Sequence, residues 1–276
     1  MKLFLMVLVL ALSACAKHPR YHADPLISVT MDDSVPDEQR DLLELDLKTA
    51  SWAKIQGDNE ADTIGLTDFS HDSLKGWLGD RVKAVVGEKF DQTAHLYGKQ
   101  NFKYTPQVFE ETVYLMMKNL GSGLYITGKS KKILLAVEVK GQKIILDSPR
   151  AGILQIGEGL FSQKTIGARG NKDNLASSFR RLQTLFHEAR HSDGNGKDLA
   201  FQHVNCESGT YIGKPACDRF SNGPYTVGRI MLERFLPLCD ECTESEKEGI
   251  EILIADLRTR ILKKEVGDAR PEKITP

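Results

Sequence analysis

Two histidines four residues apart, His187 and His191, enclose Glu188, Ala189 and Arg190 in the run His-Glu-Ala-Arg-His. Between Asn174 and Ser192, Leu175, Phe179, Leu182, Leu185, Phe186 and Ala189 fall at helical spacing, which predicts that the run sits on an amphipathic helix. Residues four apart on a helix differ by about 40° in azimuth and about 6 Å in height, so both imidazoles aim at one point and can share one ion. Neutral imidazoles suit Zn²⁺, the expected cofactor. Such a site keeps a position open for water and lowers that water's pKa towards about 7. Glu188 lies about 100° round from His187. That offset keeps it out of ligating reach while leaving it close enough to take a proton from the water and pass it to a leaving amine.

A catalytic zinc site needs a third protein ligand. Gly194 follows His191 by three residues, but three further on stands Lys197, whose ammonium cannot ligate. His203, twelve residues after His191, is the expected ligand. The Gly194-Asn195-Gly196 stretch can reverse the chain, and Leu199, Ala200 and Phe201 can anchor the returning segment. Glu233 from a later helix, and Asp198 or Asp193, are the alternatives. Tyr225, in the turn Asn222-Gly223-Pro224-Tyr225, is the candidate donor to the oxyanion that develops on a scissile carbonyl, against the competing reading of a tyrosine packed in the core. Asp218 could accept from the second ring nitrogen of a ligand histidine, or cap a loop. Arg190 reads as half of a structural ion pair rather than a substrate clamp.

The HExxH run, on a helix that follows a predicted sheet, resembles the zincin superfamily. That resemblance implies an α+β fold with the HExxH helix beneath a twisted sheet, one edge strand aligning a peptide, and hydrolysis of peptide bonds in peptide or protein substrates. The longer set Phe-His-Glu-Ala-Arg-His-Ser-Asp-Gly, then His203, Cys206, Ala216-Cys217-Asp218 and Asn222-Gly223-Pro224-Tyr225, resembles a group of exported bacterial metallopeptidases over about residues 186 to 228. Two other readings use the same zinc: a non-catalytic zinc-binding envelope lipoprotein, and a metal-dependent cell-wall amidase. Glu188 favours turnover, because zinc held for structure alone needs no base.

The elements that must position these residues are read from periodicity and turn signals. Ser34, Pro36 and Asp37 predict a helix start ahead of Leu42, Leu43, Leu45, Leu47 and Ala50. Further helices are expected around Leu74 to Phe90 and around Pro106 to Asn119. Branched residues then predict strands over Leu124 to Thr127, Ile133 to Val139, Lys143 to Leu146 and Ile153 to Phe161, the middle pair joined as a hairpin through Lys140-Gly141-Gln142. Thr243 with Glu246 predicts a capping box for a last helix carrying Ile250, Leu253, Ile254, Leu257, Ile261 and Leu262. The expected class is α+β: a helical N-terminal part, a small and mostly antiparallel twisted sheet, the HExxH helix and C-terminal helices.

Met1 and Lys2, the apolar run Leu3 to Leu12, and Leu12-Ser13-Ala14-Cys15 resemble a bacterial lipoprotein signal. That implies removal of the residues before Cys15, lipidation of Cys15, and a place in the bacterial cell envelope held to the membrane through the lipid. The absence of Asp directly after Cys15 points to the outer membrane in hosts that sort by that rule. Residues 1–15 are thus expected as signal, 16–33 as a flexible tether and 34–276 as one domain. The remaining cysteines form an even set in an oxidising compartment, which predicts disulfides Cys206 with Cys217 and Cys239 with Cys242, against a four-cysteine zinc site. With 41% hydrophobic and 27% charged residues the composition is that of a globular protein. A net charge of -1 and the lack of basic runs interleaved with aromatics leave no field for nucleic acid.

Overall fold

The computed structural model describes residues 18–57, 59–90, 96–97, 113–115, 124–128, 135–146, 152–162, 172–193, 201 and 203–262. Among the described residues there are five α-helices: α1 (Asp37–Trp52), α2 (His71–Arg81), α3 (Leu175–Arg190), α4 (Pro224–Phe235) and α5 (Glu244–Thr259). The strands are β1 (Thr30–Met31), β2 (Ala84–Gly87), β3 (Leu96–Tyr97), β4 (Val113–Leu115), β5 (Leu124–Gly128), β6 (Leu135–Val139), β7 (Gln142–Leu146), β8 (Ile153–Ile156), β9 (His203–Asn205) and β10 (Pro215–Asp218). The class is α+β. The expected signal at 1–15 and the lipidation site Cys15 lie outside the described residues. Among those described, no helix is long and apolar enough to cross a membrane.

The largest sheet has the order β1-β2-β8-β5-β4 and is mixed rather than mostly antiparallel. β1 with β2 and β2 with β8 run parallel, while β5 lies antiparallel to both β8 and β4. β3-β6-β7 form a separate antiparallel sheet, and β9 with β10 a third. The β6–β7 hairpin is as expected: Lys140 (φ 48°) and Gly141 (φ 76°) both take positive φ, the two-residue turn whose twist matches that of the strands.

Several expectations need correction. The helix expected over Leu74 to Phe90 ends at Arg81, and Ala84–Gly87 is strand β2, buried at all four positions between β1 and β8. A fully buried parallel strand is a continuous apolar run that periodicity cannot separate from a helix turn, and Val85-Val86 prefers the extended form. Within the helix expected over Pro106 to Asn119, Val113–Leu115 is strand β4 paired with β5, again β-branched and aromatic residues chosen by their partner; the rest of that segment lies outside the described residues. The strand expected to reach Phe161 stops at Ile156, after which Glu158–Phe161 forms a short 3₁₀ turn.

The tether expected over 16–33 belongs to the body from His18 onward. Leu26 and Ile27 join the core, Arg20 is buried with its guanidinium donating to Ser178 Oγ at 3.3 Å and to the Asp173 carbonyl, and β1 extends the sheet. Prolines marked this stretch as irregular, but irregular backbone can still pack. Ser34, the expected cap of α1, instead accepts the Gly87 N–H at 2.9 Å and fastens the chain to β2, so the helix starts after Pro36 without a side-chain cap.

α3 is the centre of the molecule. Asn174 caps it by accepting from Ser177 N–H at 2.8 Å. Its apolar face holds α2 through Trp77 against Phe186 (centroids 5.6 Å apart) and α4 through Phe179 stacked on Phe235 (4.9 Å). Its polar face is buried as well: Arg181 makes a two-pronged pair with Asp46 of α1 at 2.7 and 2.8 Å. The predicted capping box of α5 is present, but Ile261 and Leu262 lie beyond the helix end, where Ile261 pairs as a bridge with Asp218. One cluster of buried residues runs from Leu26 to Leu257, and α3 passes through it.

Candidate metal centre

His187 lies in the last turn of α3, and His191 follows its end with helical backbone (φ -58°, ψ -20°), so the four-residue relation predicted from sequence is kept. His203 comes from β9. Its Nε2 lies 3.1 Å from Nε2 of His187 and 3.2 Å from Nε2 of His191. One nitrogen from each of the three rings falls within 4.8 Å of the others, close enough for all three to hold one metal ion. His187 and His191 are buried and His203 is half-buried.

Cross-strand pairing delivers His203. In the β9–β10 ladder His203 lies opposite Asp218 and Val204 opposite Cys217. Cys206, just past β9, and Cys217 stand at disulfide distance, with Cα atoms 5.1 Å apart; Cys239 and Cys242 are the second such pair, at 5.2 Å. Both are the pairings expected. Phe201, two residues before His203, is buried and lies 4.3 Å under the Arg190 guanidinium, so it anchors the returning chain as predicted. The Gly194–Gly196 turn, Lys197, Asp198, Leu199 and Ala200 lie outside the described residues.

The far ring nitrogens decide whether a cation fits. Nδ1 of His191 faces the carbonyl of Phe201, which can only accept, so that nitrogen carries the proton and Nε2 carries the lone pair. Nδ1 of His203 faces Oδ1 of Asp218 at 3.0 Å, and with the carboxylate accepting there its Nε2 likewise carries a lone pair. Two lone pairs opposed at 3.2 Å repel unless a positive charge lies between them. Tetrahedral zinc with nitrogens at about 2.0–2.1 Å sets its ligands roughly 3.3–3.4 Å apart, close to the 3.1 and 3.2 Å from His203 to the other two rings. The donor set therefore fits a divalent metal.

Burial keeps His191 in the ligating form and works against the charge on Asp218. Burial, reinforced by His203, holds the His191 imidazole well below its ordinary pKa and thus neutral, against the pull of the Phe201 carbonyl. Burial pushes the Asp218 carboxyl well above the usual range, opposed by the Tyr225 and Thr226 N–H groups and by Arg190 and Arg260. A divalent cation beyond the His203 ring would act against that rise.

Glu188 is buried beside His187 on α3. The Tyr225 ring packs 4.6 Å from both the His187 and the His203 rings, and its hydroxyl oxygen accepts from Arg260 at 3.0 Å while keeping its own proton to donate. Burial raises Tyr225 to about 12, with Arg260 opposing and Glu188 adding to the rise. Arg260 has no mark in the sequence, standing 35 residues from Tyr225 just beyond α5. Two of the alternative ligands are engaged elsewhere: Glu233 accepts from Arg229 and Arg258, both at 2.6 Å, and Asp193 from Arg81 at 2.8 Å and Arg190 at 2.7 Å, while Asp198 lies outside the described residues. Arg190 is thus the structural ion pair expected, and it also donates to the Asn222 carbonyl at 2.9 Å. Fold and site define an α+β protein with a three-histidine group able to hold a metal. Comparison of the chain with protein-family models, curated proteins and solved structures gives no match.

Proposed function

We propose that this chain is a zinc metallopeptidase of the zincin type, exported to the bacterial envelope, held to a membrane through a lipid on Cys15, and acting on peptide or protein substrates. The observation that carries the reading is the convergence of three Nε2 atoms, two of them in rings whose other nitrogen faces an acceptor. His187, His191 and His203 would hold the ion, which supplies Lewis acidity that makes water nucleophilic near neutral pH and polarises a carbonyl. Glu188 takes one proton from the attacking water and delivers it to the leaving nitrogen as the C–N bond breaks, which returns the carboxylate to its starting state. Tyr225 donates its hydroxyl proton as a hydrogen bond to the oxygen on which negative charge grows. Arg260 holds that hydroxyl in place.

The test is zinc content by elemental analysis, measured on the parent, His187→Ala and Glu188→Ala, together with cleavage of an unfolded polypeptide and of peptidoglycan. The expected result is one zinc in the parent and in the Glu188 variant, none in the His187 variant, and cleavage of the polypeptide by the parent alone. A parent that takes up no zinc overturns the reading. Zinc without any cleavage leaves a binding protein, and cleavage confined to peptidoglycan makes it an amidase.

A further inference from the structure

Both oxygens of Asp218 face N–H donors. Oδ1 meets Nδ1 of His203 at 3.0 Å because the two residues are direct partners across β9 and β10. Oδ2 accepts the backbone N–H of Tyr225 at 2.6 Å, in the first turn of α4. The main chain of Asp218 is held too: its N–H donates to the Arg260 carbonyl at 2.7 Å, and its carbonyl accepts from Leu262 at 2.9 Å. Gly223 packs so closely that a Cβ there would clash with Oδ2, so the carboxylate is boxed in and only 2% of the residue is exposed.

We propose that Asp218 is the positioning residue that keeps the proton of His203 on Nδ1 and thereby reserves the Nε2 lone pair for the metal. This rests on the metal reading of the three histidines and adds to it the group that sets the third ligand's tautomer. The isosteric variant Asp218→Asn separates positioning from mere packing. A carboxamide has one acceptor oxygen and one NH₂, yet Asp218 serves the imidazole as well as the main-chain N–H groups at Tyr225 and Thr226, which cannot give up their protons. The Tyr225 amide cannot move its proton, whereas an imidazole can exchange tautomers. The carboxamide oxygen therefore stays on Tyr225, and the NH₂ faces Nδ1 of His203, which must then accept. The histidine proton moves to Nε2, the atom needed for ligation.

The experiment uses the full chain with ¹⁵N-labelled histidine, metal-free at one slightly alkaline pH, and reads the His203 ring nitrogens. A parallel titration reads zinc affinity by competition with a chelator. The parent is expected to carry Nδ1–H on His203, and Asp218→Asn to carry Nε2–H with zinc bound about 10–100-fold more weakly and unchanged helix content. An Nε2–H form in the parent overturns the proposal without recourse to any variant. So does an Asn variant that keeps the parent's tautomer and zinc affinity, and in that case zinc binding by the parent leaves the metal reading standing. A tautomer switch in a protein that binds no zinc supports the positioning role while sinking the metal reading.

Discussion

The face of α3 and the β9–β10 hairpin contribute to the same point by opposite means. On α3, His187, Glu188 and His191 take their mutual placement from the helix repeat, and the helix is fixed by packing on α1, α2 and α4. On the hairpin, His203 sits in a three-residue strand and is placed by its partner strand, by a nearby cysteine pair and by Asp218. A ligand pair on one helix survives any disturbance that leaves the helix intact. A ligand on a short strand depends on everything that holds the strand. On the metal reading proposed above, the hairpin is therefore where affinity should be alterable without unfolding the body.

The strongest way to break this comparison is to remove ligands from each side in turn. His191→Ala and His203→Ala should each weaken zinc binding by on the order of 10³-fold or more, read by chelator competition. Full zinc stoichiometry in His203→Ala would mean that the hairpin is dispensable and the ligand set wrong. Next in size, Glu188→Gln should leave zinc content unchanged while lowering peptide cleavage by about 10²–10⁴-fold. A variant retaining parental turnover would take the base role from α3.

The hairpin can also be loosened without touching a ligand. Replacing Cys206 and Cys217 together by Ser should cost roughly 2–3 kcal/mol in denaturant unfolding and weaken zinc, whereas the same change at Cys239 and Cys242, closing a far shorter loop, should cost less and leave zinc affinity alone. Equal zinc affinities in the two double variants would remove the hairpin's special status. The smallest effect expected is alkaline. Tyr225 stays neutral in the fold to about 12 because burial disfavours the phenolate, while the unfolded chain ionises it near 10.0. The stability this gives is complete below pH 10 and is lost as pH rises through about 12. Tyr225→Phe should flatten that part of the stability curve relative to the parent, and identical slopes would show that the ring is not buried as described.

Legibility in the sequence followed the range of the interaction. The helix under the HExxH run, the β6–β7 hairpin and the α5 capping box were readable because their signals lie within a few residues of one another. Strands β2 and β4 were not, because a short apolar run takes its conformation from a distant partner: β8 for Val85 and Val86, β5 for Val113 and Leu115. Prolines suggested a tether over 16–33, while the buried Arg20 and Leu26 depend on α3 and α1, far along the chain. At the site, His203 and Asp218 were already candidates by residue type. Residue type alone could not exclude Glu233 or Asp193, since only packing shows that arginines already engage both.

The sequence by itself determined the chemistry on offer: two imidazoles and a carboxylate on one helix, an even set of cysteines to cross-link, and a choice of third ligands. Tertiary structure alone decided which third imidazole meets the pair, which acceptors face the far ring nitrogens, and that Arg260 holds the Tyr225 hydroxyl. The physical reason is that helix geometry is set by neighbouring residues. The tautomer and reach of a ring on a short strand are set by whatever acceptor the rest of the fold brings to its far side.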